Sequence, residues 1–172
     1  EPYRRQRQMC IRDRFRFPQN QINEASRKMQ DQICREQAVA VHVRRGDYLL
    51  PENNRKYGNI CTLQYYRNAM QYMKEKVSDA RFYFFSNDPE WVRENLSEGD
   101  SVIVNCNHGK ENYLDMYLMS QCSHNIIANS SFSWWGAWLN RNPDKIIVSP
   151  KRWFSHLDVS DAVCEDWIRI NG

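Results

Sequence analysis

The sequence predicts an α/β fold in which helices cover both faces of a parallel sheet. Two observations lead to this prediction. Short apolar runs typical of strands alternate with segments of helical periodicity along most of the chain. The runs are apolar almost throughout rather than alternating with polar residues, as expected for strands that are buried on both faces. A length of 172 residues with 41% hydrophobic and 13% aromatic content suits one well-packed domain.

The elements follow in order along the chain. A helix carries Ile22, Ala25, Met29 and Ile33 on one face, and later helices begin after the candidate N-caps Thr62 and Asp88, at about residue 113 and at residue 131. Residues 44–61 are expected to form a loop. Five strands are predicted, at residues 38–43, 81–86, 101–106, 125–128 and 145–149.

Charge separates the first residues from the rest. Residues 1–16 contain six arginines and two acidic residues, a balance of +4, whereas residues 17–172 contain 18 basic and 19 acidic residues, a balance of −1. A basic surface spread over the whole domain, as in a nucleic-acid-binding protein, is therefore not expected. We interpret 1–16 as a flexible basic arm or a non-native segment, and 17–172 as the folded domain.

Cysteine usage and hydropathy point to a reducing compartment. Six cysteines occur without CxxC pairs or ligand spacing, which favours free thiols and no structural metal. No apolar run approaches the ~20 residues that a membrane-spanning helix needs, and no signal-peptide pattern is present. We expect a cytoplasmic protein, with peripheral association at the inner face of the membrane left open.

Polar residues with chemical potential follow the first strand, in HVRRGDY. Strand alternation places His42 and Arg44 on one face and Arg45 on the other. An arginine fork matches phosphate oxygens, so Arg44 is a candidate anion ligand, whereas Arg45 is expected to pair with an internal acid. A surface turn with an Arg–Asp pair is the simpler alternative. The RGD tripeptide alone does not support an adhesion protein.

Two further motifs follow the second and fourth strands. In SNDPEW, Asp88 suits a helix N-cap, but a carboxylate there could also accept two N–H groups from a base such as guanine. In ANSSFSWWGAW, a strand enters a helix whose N-terminus can bind an anion, while its tryptophans suit either a core or a ligand wall. There is no P-loop and no DxD motif, so the residues favour a metal-independent nucleoside-diphosphate site.

The segments VHVRRGDY, FFSNDPEW, LDMYLMSQCSHNIIANSSFSWWGAWLN and EDWIRI closely resemble the bacterial α-1,2-fucosyltransferases of glycosyltransferase family 11. The resemblance covers Gln37 to the C-terminus. It implies one Rossmann-like half of a GT-B enzyme, with GDP-fucose as donor and a galactose-terminated glycan as acceptor. It implies inverting transfer to the galactose 2-hydroxyl, with no cofactor and no metal.

The resemblance also implies residue roles. Arg44 would hold the donor β-phosphate and His42 would lie against the nucleoside, while Asp88 would read guanine with Asn87 beside it. The remaining donor-site positions would be the phosphate-binding helix start and a supporting acid on the preceding helix, namely Ser131, Phe132, Ser133, Trp134 and Asp115.

Two carboxylates are candidates for the catalytic base, and the sequence does not decide between them. Asp47 is preferred because it lies within the arginine motif, and it could equally be the structural partner of Arg45. Glu52 is the rival, because related fucosyltransferases place a carboxylate about ten positions after the histidine. Charge on the departing GDP would be neutralised by Arg44 and the helix N-terminus.

One family feature is absent from the chain. The resemblance leads us to expect a GGLGNQ-like turn from the N-terminal half-domain, and the sequence does not contain it. We therefore expect a donor-binding half that needs the missing half-domain for efficient transfer. The alternatives are a non-catalytic GDP or GDP-sugar-binding module, or another member of the wider fucosyltransferase superfamily.

Overall fold

A computed structural model describes residues 13–156 and 163–172, which form a six-stranded sheet. The strands are β1 (Gln37–Val43), β2 (Ala80–Ser86), β3 (Val102–Val104), β4 (His124–Ile126), β5 (Ile147–Pro150) and β6 (Ile168–Ile170). Their order across the sheet is β3-β2-β1-β4-β5-β6, and every neighbouring pair is parallel. The predicted α/β class with a parallel sheet is confirmed. Strand β6 was not predicted, because the charged Arg169 interrupts its two apolar residues and leaves no apolar run.

Six α-helices lie within the described ranges. They are α1 (Glu24–Ile33), α2 (Pro51–Tyr57), α3 (Leu63–Lys76), α4 (Pro89–Asn95), α5 (Tyr113–Gln121) and α6 (Ser131–Leu139). The prediction of a loop over 44–61 was wrong in part, because this segment contains α2 and a 3₁₀ turn at Gly46–Leu49. Proline at the first position of α2 and an acid in its first turn favour this short helix.

Side-chain caps begin the helices where the sequence indicated. The Thr62 hydroxyl accepts a hydrogen bond from the Tyr65 amide at 3.1 Å, and the Asp88 carboxylate accepts one from the Trp91 amide at 3.2 Å. Both predicted N-caps are therefore confirmed. Asn23 caps α1 in the same way. Each cap satisfies one amide that the first helical turn leaves unpaired.

Alternation along β1 divides the core between the two faces of the sheet. Val39, Val41 and Val43 pack with α3 and α4 on one face. Ala38 and Ala40 pack with α1 and α5 on the other. Helix α6 packs beside β5 in a third cluster that is rich in tryptophan. Covering both faces explains why the strands read as continuous apolar runs.

The strand order reverses between β1 and β4, so a crevice opens outside their carboxyl ends. Helix α3 closes the floor of this crevice with two buried tyrosines. The Tyr66 hydroxyl donates to the His42 carbonyl at 3.1 Å, and the Tyr65 hydroxyl donates to the Ile127 carbonyl at 2.6 Å. These bonds satisfy carbonyl groups that the ends of β1 and β4 leave unpaired.

The expected arm at 1–16 is described only in part, because residues 1–12 lie outside the described residues. Residues 13–17 contact the domain. The Phe15 ring lies 4.9 Å from that of Trp135, and the Phe17 ring lies 5.2 Å from that of Tyr117. The boundary at residue 16 stays a prediction.

The structure also gives findings on membrane-spanning helices and on the cysteines. Of the helices in the described ranges, none is both long and apolar enough to cross a bilayer. The five described cysteines are all free thiols.

Candidate functional site

A cavity of about 440 Å³ lies at the carboxyl edge of the sheet, beside the crevice between β1 and β4. Its walls come from the ends of β1, β2 and β3, from the loop that leads into α5, and from the start of α6. The residues that decide its chemistry are His42, Arg44, Asn87, Asn107, His108, Asn112, Asp115 and Phe132. The volume lies within the range of small-molecule sites.

The two arginines at the end of β1 turn in different directions, as the strand alternation indicated. Arg44 lines the cavity with His42, and its Nη2 lies 2.7 Å from a carboxylate oxygen of Asp47. Arg45 turns away, with its Nε 3.2 Å from Asp88 and its guanidinium over the Trp91 ring at 4.0 Å. The hypothesis that Asp47 pairs with Arg45 was wrong, because Asp88 takes that place and Asp47 pairs with Arg44.

His42 brings a neutral polar group to the cavity wall. The side chain is only 6% exposed and lies against the Phe132 ring, with 5.6 Å between the ring centroids. Burial, and secondarily the charge of Arg44, lower the pKa of His42 to about 3. Its Nδ1 is buried and has no hydrogen-bond partner among the described residues. A buried polar atom left unpaired costs free energy, which a polar ligand in the cavity would recover.

Asp115 brings a carboxylate to the same cavity, held in place by Asn107. The Asn107 side-chain oxygen accepts from Asn23 at 3.1 Å and from the Ser26 hydroxyl at 2.9 Å. These donors fix the amide, so its nitrogen donates to Asp115 at 2.8 Å. Burial raises the pKa of Asp115 to about 6, although the hydrogen bond from Asn107 and the charge of His108 oppose the shift.

Asn87 and Asp88 were predicted to lie side by side at the guanine base, but they occupy different environments. Asn87 lines the cavity and accepts the Arg45 amide at 3.0 Å. Asp88 uses one carboxylate oxygen for the Trp91 amide and the other for Arg45. Both of its oxygens therefore have protein donors, and the reading of guanine by Asp88 stays a prediction that this arrangement does not favour.

The turn at Gly46 depends on the absence of a side chain. Its φ is +20°, and a Cβ placed there would lie 2.1 Å from the Asn87 side-chain nitrogen. We expect Gly46→Ala to lower the free energy of unfolding by about 1–3 kcal/mol, since a positive φ and overpacking both add cost. Urea denaturation would measure this. The matched control is Gly99→Ala, which has φ +53° but no atom within 4 Å of the added Cβ. Equal losses in the two variants would contradict the steric explanation.

The start of α6 contributes less side-chain surface than predicted. Phe132 lines the cavity, and Ser131 is exposed at the first helical position. The buried Ser133 hydroxyl donates to the Ala128 and Ser130 carbonyls at 3.4 and 3.3 Å. The Trp134 ring stacks on Trp138, with 6.0 Å between the centroids. Contacts of the Ser133 and Trp134 side chains with the nucleotide-sugar donor therefore stay predictions.

The first turn of α6 retains its anion-binding character through the backbone. Ser130 occupies the N-cap position without a side-chain capping bond. Amides at a helix start are therefore available to a ligand and carry the positive end of the helix dipole. Because Phe132 reaches the cavity from this turn, the helix start and Arg44 lie at the same edge of the sheet.

The two candidate bases lie outside the cavity lining. Asp47 is half-buried beside Arg44 in the 3₁₀ turn, and its carbonyl accepts from the Asn53 side chain at 3.0 Å. Glu52 is exposed in the first turn of α2. Asp47 is thus joined to the cavity through Arg44, whereas Glu52 does not line it. The choice between them stays a prediction.

The sequence model of glycosyl transferase family 11 matches residues 3–171 of this chain. The chain belongs to glycosyltransferase family 11. The motifs at the ends of β1, β2 and β4 all lie within the matched range.

Relatives of this family 11 chain carry related names. A 36% identity over 133 residues links it to an O-antigen biosynthesis glycosyltransferase, WbnK, of Escherichia coli, covering 77% of this chain and 44% of the relative. An α-1,2-colitosyltransferase of Escherichia coli is 38% identical over 153 residues, 87% of this chain and 53% of the relative. Galactoside α-(1,2)-fucosyltransferase 1 of Ateles belzebuth is 37% identical over 103 residues, 59% of this chain and 28% of the relative. The chain spans about half the length of the first two.

One wall of the cavity in this family 11 chain was not predicted from the sequence. Asn107, His108 and Asn112 come from the loop after β3 and were not among the predicted site residues. A signal was present, because NHGKEN is a polar stretch directly after the strand predicted at 101–106, like the motifs after β1, β2 and β4. In a parallel sheet such stretches meet at one edge.

The chemistry available in the cavity is recognition of a ligand that is anionic at one end. Arg44 supplies a permanent positive charge, His42 a neutral ring and Asp115 an acceptor that is largely ionised at pH 7. Within residues 13–156 and 163–172, no group of three or more His, Cys, Asp or Glu side chains is placed to hold a metal ion.

Proposed function

We propose that the chain binds a GDP-sugar and forms the donor-binding part of an inverting α-1,2-fucosyltransferase that acts on galactose-terminated glycans. The single observation that carries this proposal is the juxtaposition, in one cavity, of Arg44 and Asp115 beside the buried, unpartnered Nδ1 of His42. The positive charge of Arg44 suits a diphosphate, and the carboxylate of Asp115 suits a nucleobase that offers N–H donors.

We propose that Asp115, rather than Asp88, reads the guanine. An ionised carboxylate only accepts hydrogen bonds, and the guanine edge offers two adjacent donors, N1–H and the 2-amino group. Adenine offers an acceptor beside its donor, so it would leave one carboxylate oxygen facing a lone pair. Asn107 supports the role, because it holds the carboxylate in one orientation at 2.8 Å. His42, with its neutral ring, would contact the nucleoside.

The diphosphate would lie between Arg44 and the start of α6. A phosphate there competes with Asp47 for the guanidinium, which lies 2.7 Å from the Asp47 carboxylate. Arginine and a helix N-terminus together can neutralise the charge that develops on departing GDP, so the proposal requires no metal or other cofactor.

Calorimetric titration with GDP, performed with and without a chelator, tests the proposal, with ADP and UDP as controls. We expect a GDP signal at least tenfold tighter than the controls. A chain shown to be folded by circular dichroism that gives no GDP signal would overturn the proposal. A GDP signal that disappears with the chelator would overturn its metal-independence.

The identity of the sugar is a separate part of the proposal. Fucose is favoured by the resemblance and by the name of the fucosyltransferase relative, but the other α-1,2 relative is named for colitose. Titration with GDP-fucose and GDP-colitose side by side decides between them. We expect GDP-fucose to bind more tightly, and the reverse order would assign colitose.

Asp47→Asn is expected to spare GDP binding but lower turnover by about 10²–10⁴-fold in an enzyme that also contains the other half-domain, because a general base contributes that factor. The physical reason is that the amide keeps the shape of the carboxylate but cannot take the acceptor proton. Glu52→Gln is the paired control. Normal turnover in Asp47→Asn with loss in Glu52→Gln would move the base to Glu52.

The alternative of a non-catalytic GDP or GDP-sugar-binding module predicts binding without transfer. Because the chain spans about half of its first two relatives, transfer has to be assayed with the remaining length supplied. Transfer activity in that longer protein would exclude the module. The cytoplasmic location and the inner-face membrane association stay predictions.

A further inference from the structure

A second cavity lies at the same edge of the sheet, beyond the ends of β5 and β6, and has a volume of about 720 Å³. Its walls come from the end of α2, from the loop after β5 and from the residues after β6. The side chains that set its charge are Arg55, Lys151, Arg152 and His156. No acidic residue lines it within the part of the chain that the structure describes.

The walls of this cavity are joined to one another by hydrogen bonds, although they are distant in sequence. The Ser155 amide donates to the Lys56 carbonyl at 2.9 Å, and the Ser155 hydroxyl donates to the Gly58 carbonyl at 3.2 Å. The Lys151 amide donates to the Ile170 carbonyl at 2.9 Å. The cavity is therefore preformed, because each wall is fixed to its neighbour.

Asn129, at the end of the segment that follows β4, ties this cavity to the donor side of the sheet. Its side-chain nitrogen donates to the carbonyls of Tyr57 and Trp153, each at 3.1 Å, and its own carbonyl accepts from the Tyr48 hydroxyl at 3.1 Å. Tyr48 belongs to the 3₁₀ turn that holds Asp47. One buried residue, through its backbone carbonyl and its side chain, thus joins the turn beside Arg44 to two walls of the second cavity.

Three of the basic side chains that line this cavity form no ion pair with an acidic side chain among the described residues. Arg44, Arg81 and Arg93 each pair with a carboxylate of this chain. Among the described residues, Arg55, Lys151 and Arg152 have no such partner, and all three face one cavity. The three exposed cations outnumber the one anionic group in the lining, the terminal carboxylate of Gly172, so binding a further anion in this cavity is favourable.

We infer that this second cavity binds a phosphate group carried by the acceptor glycan. Arginine forks match phosphate oxygens in pairs, and a volume of about 720 Å³ leaves room for a sugar beside the phosphate. The inference rests on the proposed function in one respect, since only a transferase needs an acceptor at the edge where the donor binds. The anion site itself does not depend on it.

The test uses Arg44→Ala as background, because this variant removes the anion ligand of the donor cavity. Calorimetric titration compares two probes, galactose 1-phosphate and inorganic phosphate. We expect galactose 1-phosphate to bind at least threefold more tightly than inorganic phosphate. Adding Arg55→Gln and Arg152→Gln should weaken its binding at least tenfold. Adding Arg35→Gln and Arg67→Gln, which remove two exposed arginines outside this cavity, should leave it unchanged.

Each of the other possible results would contradict a specific part of the inference. Failure of the folded background variant to bind either probe, or equal weakening by both double substitutions, would overturn the site. Equal affinity for the two probes would overturn the acceptor assignment. If the variant with Arg55→Gln and Arg152→Gln does not fold, Lys151→Gln replaces it in the same comparison with the control variant. Failure of GDP to bind the wild-type chain while galactose 1-phosphate binds the background variant would overturn the donor proposal and leave this inference standing.

Discussion

Replacing Arg44 with alanine is expected to weaken GDP binding by about 1.5–3 kcal/mol, a rise of roughly 10- to 150-fold in Kd, the range for hydrogen bonds to charged groups. Arg44 is the arginine that lines the cavity proposed for the donor, where it lies beside His42 and the Asp47 carboxylate. The loss should fall on the phosphates, so guanosine, which has none, should bind the variant and the wild-type chain alike. Calorimetric titration with both ligands measures the two effects.

Arg93→Ala is the matched control for this prediction. Arg93 also pairs with an acid three positions away, Glu90, but it does so on the exposed surface of α4 and away from the cavity. Its replacement should leave GDP affinity unchanged. If both variants lose affinity equally, or if Arg44→Ala binds GDP normally, the donor phosphate does not lie against Arg44.

Replacing Asp115 with asparagine is expected to have two opposite effects. GDP affinity should fall by about 1.5–3 kcal/mol and the preference over ADP should disappear, because the amide cannot accept two donors from guanine. The free energy of unfolding at pH 7 should rise, by up to about 3 kcal/mol, because folding no longer buries a charge. Chemical denaturation and nucleotide titration of the same variant measure both effects.

The same group predicts how stability depends on pH. Burial raises the pKa of Asp115 from 3.8 to about 6, so the folded chain binds this proton more tightly than the unfolded chain does. The contribution of Asp115 to stability is therefore fully present below pH 3.8 and is lost as pH rises through about 6. GDP binding should follow the opposite course, weakening as the pH falls below 6, because guanine requires the ionised carboxylate.

Asp144→Asn is the control for both effects, since Asp144 is exposed in the turn before β5. It should change neither the unfolding free energy at pH 7 nor GDP affinity. An Asp115→Asn variant that is less stable than the wild-type chain, yet binds GDP normally, would show that the carboxylate serves packing rather than base recognition.

Much of the fold could be predicted because its signals are local. The apolar runs located five of the six strands, and the caps Thr62 and Asp88 bond amides only three residues away. Period and capping depend on neighbours in sequence, so they are readable without tertiary structure. The missed elements, α2 (PENNRKY) and β6 (IRI), are mostly polar or interrupted by a charge, so they lack the apolar pattern that marked the other elements.

The site was predictable in part for the same reason. Alternation along β1 indicated that Arg44 and His42 share a face and that Arg45 turns away. Which acid each arginine meets was not readable, because Arg45 and Asp88 are 43 residues apart and meet only when β1 and β2 pair. The wall after β3 was overlooked because its place at the cavity depends on the strand order, in which β3 lies at the edge of the sheet next to β2.

The sequence by itself determined the class of fold, the family resemblance and the edge of the sheet where the ligand should bind. Only the tertiary structure decided which carboxylate faces the cavity. Asp88 is held by Arg45 and the start of α4, whereas Asp115 is presented to the cavity by Asn107, whose own orientation depends on Asn23 and Ser26, 84 and 81 residues away. The physical reason is that a hydrogen bond depends on distance and angle in space, and the spacing of residues along a chain contains neither for groups this far apart.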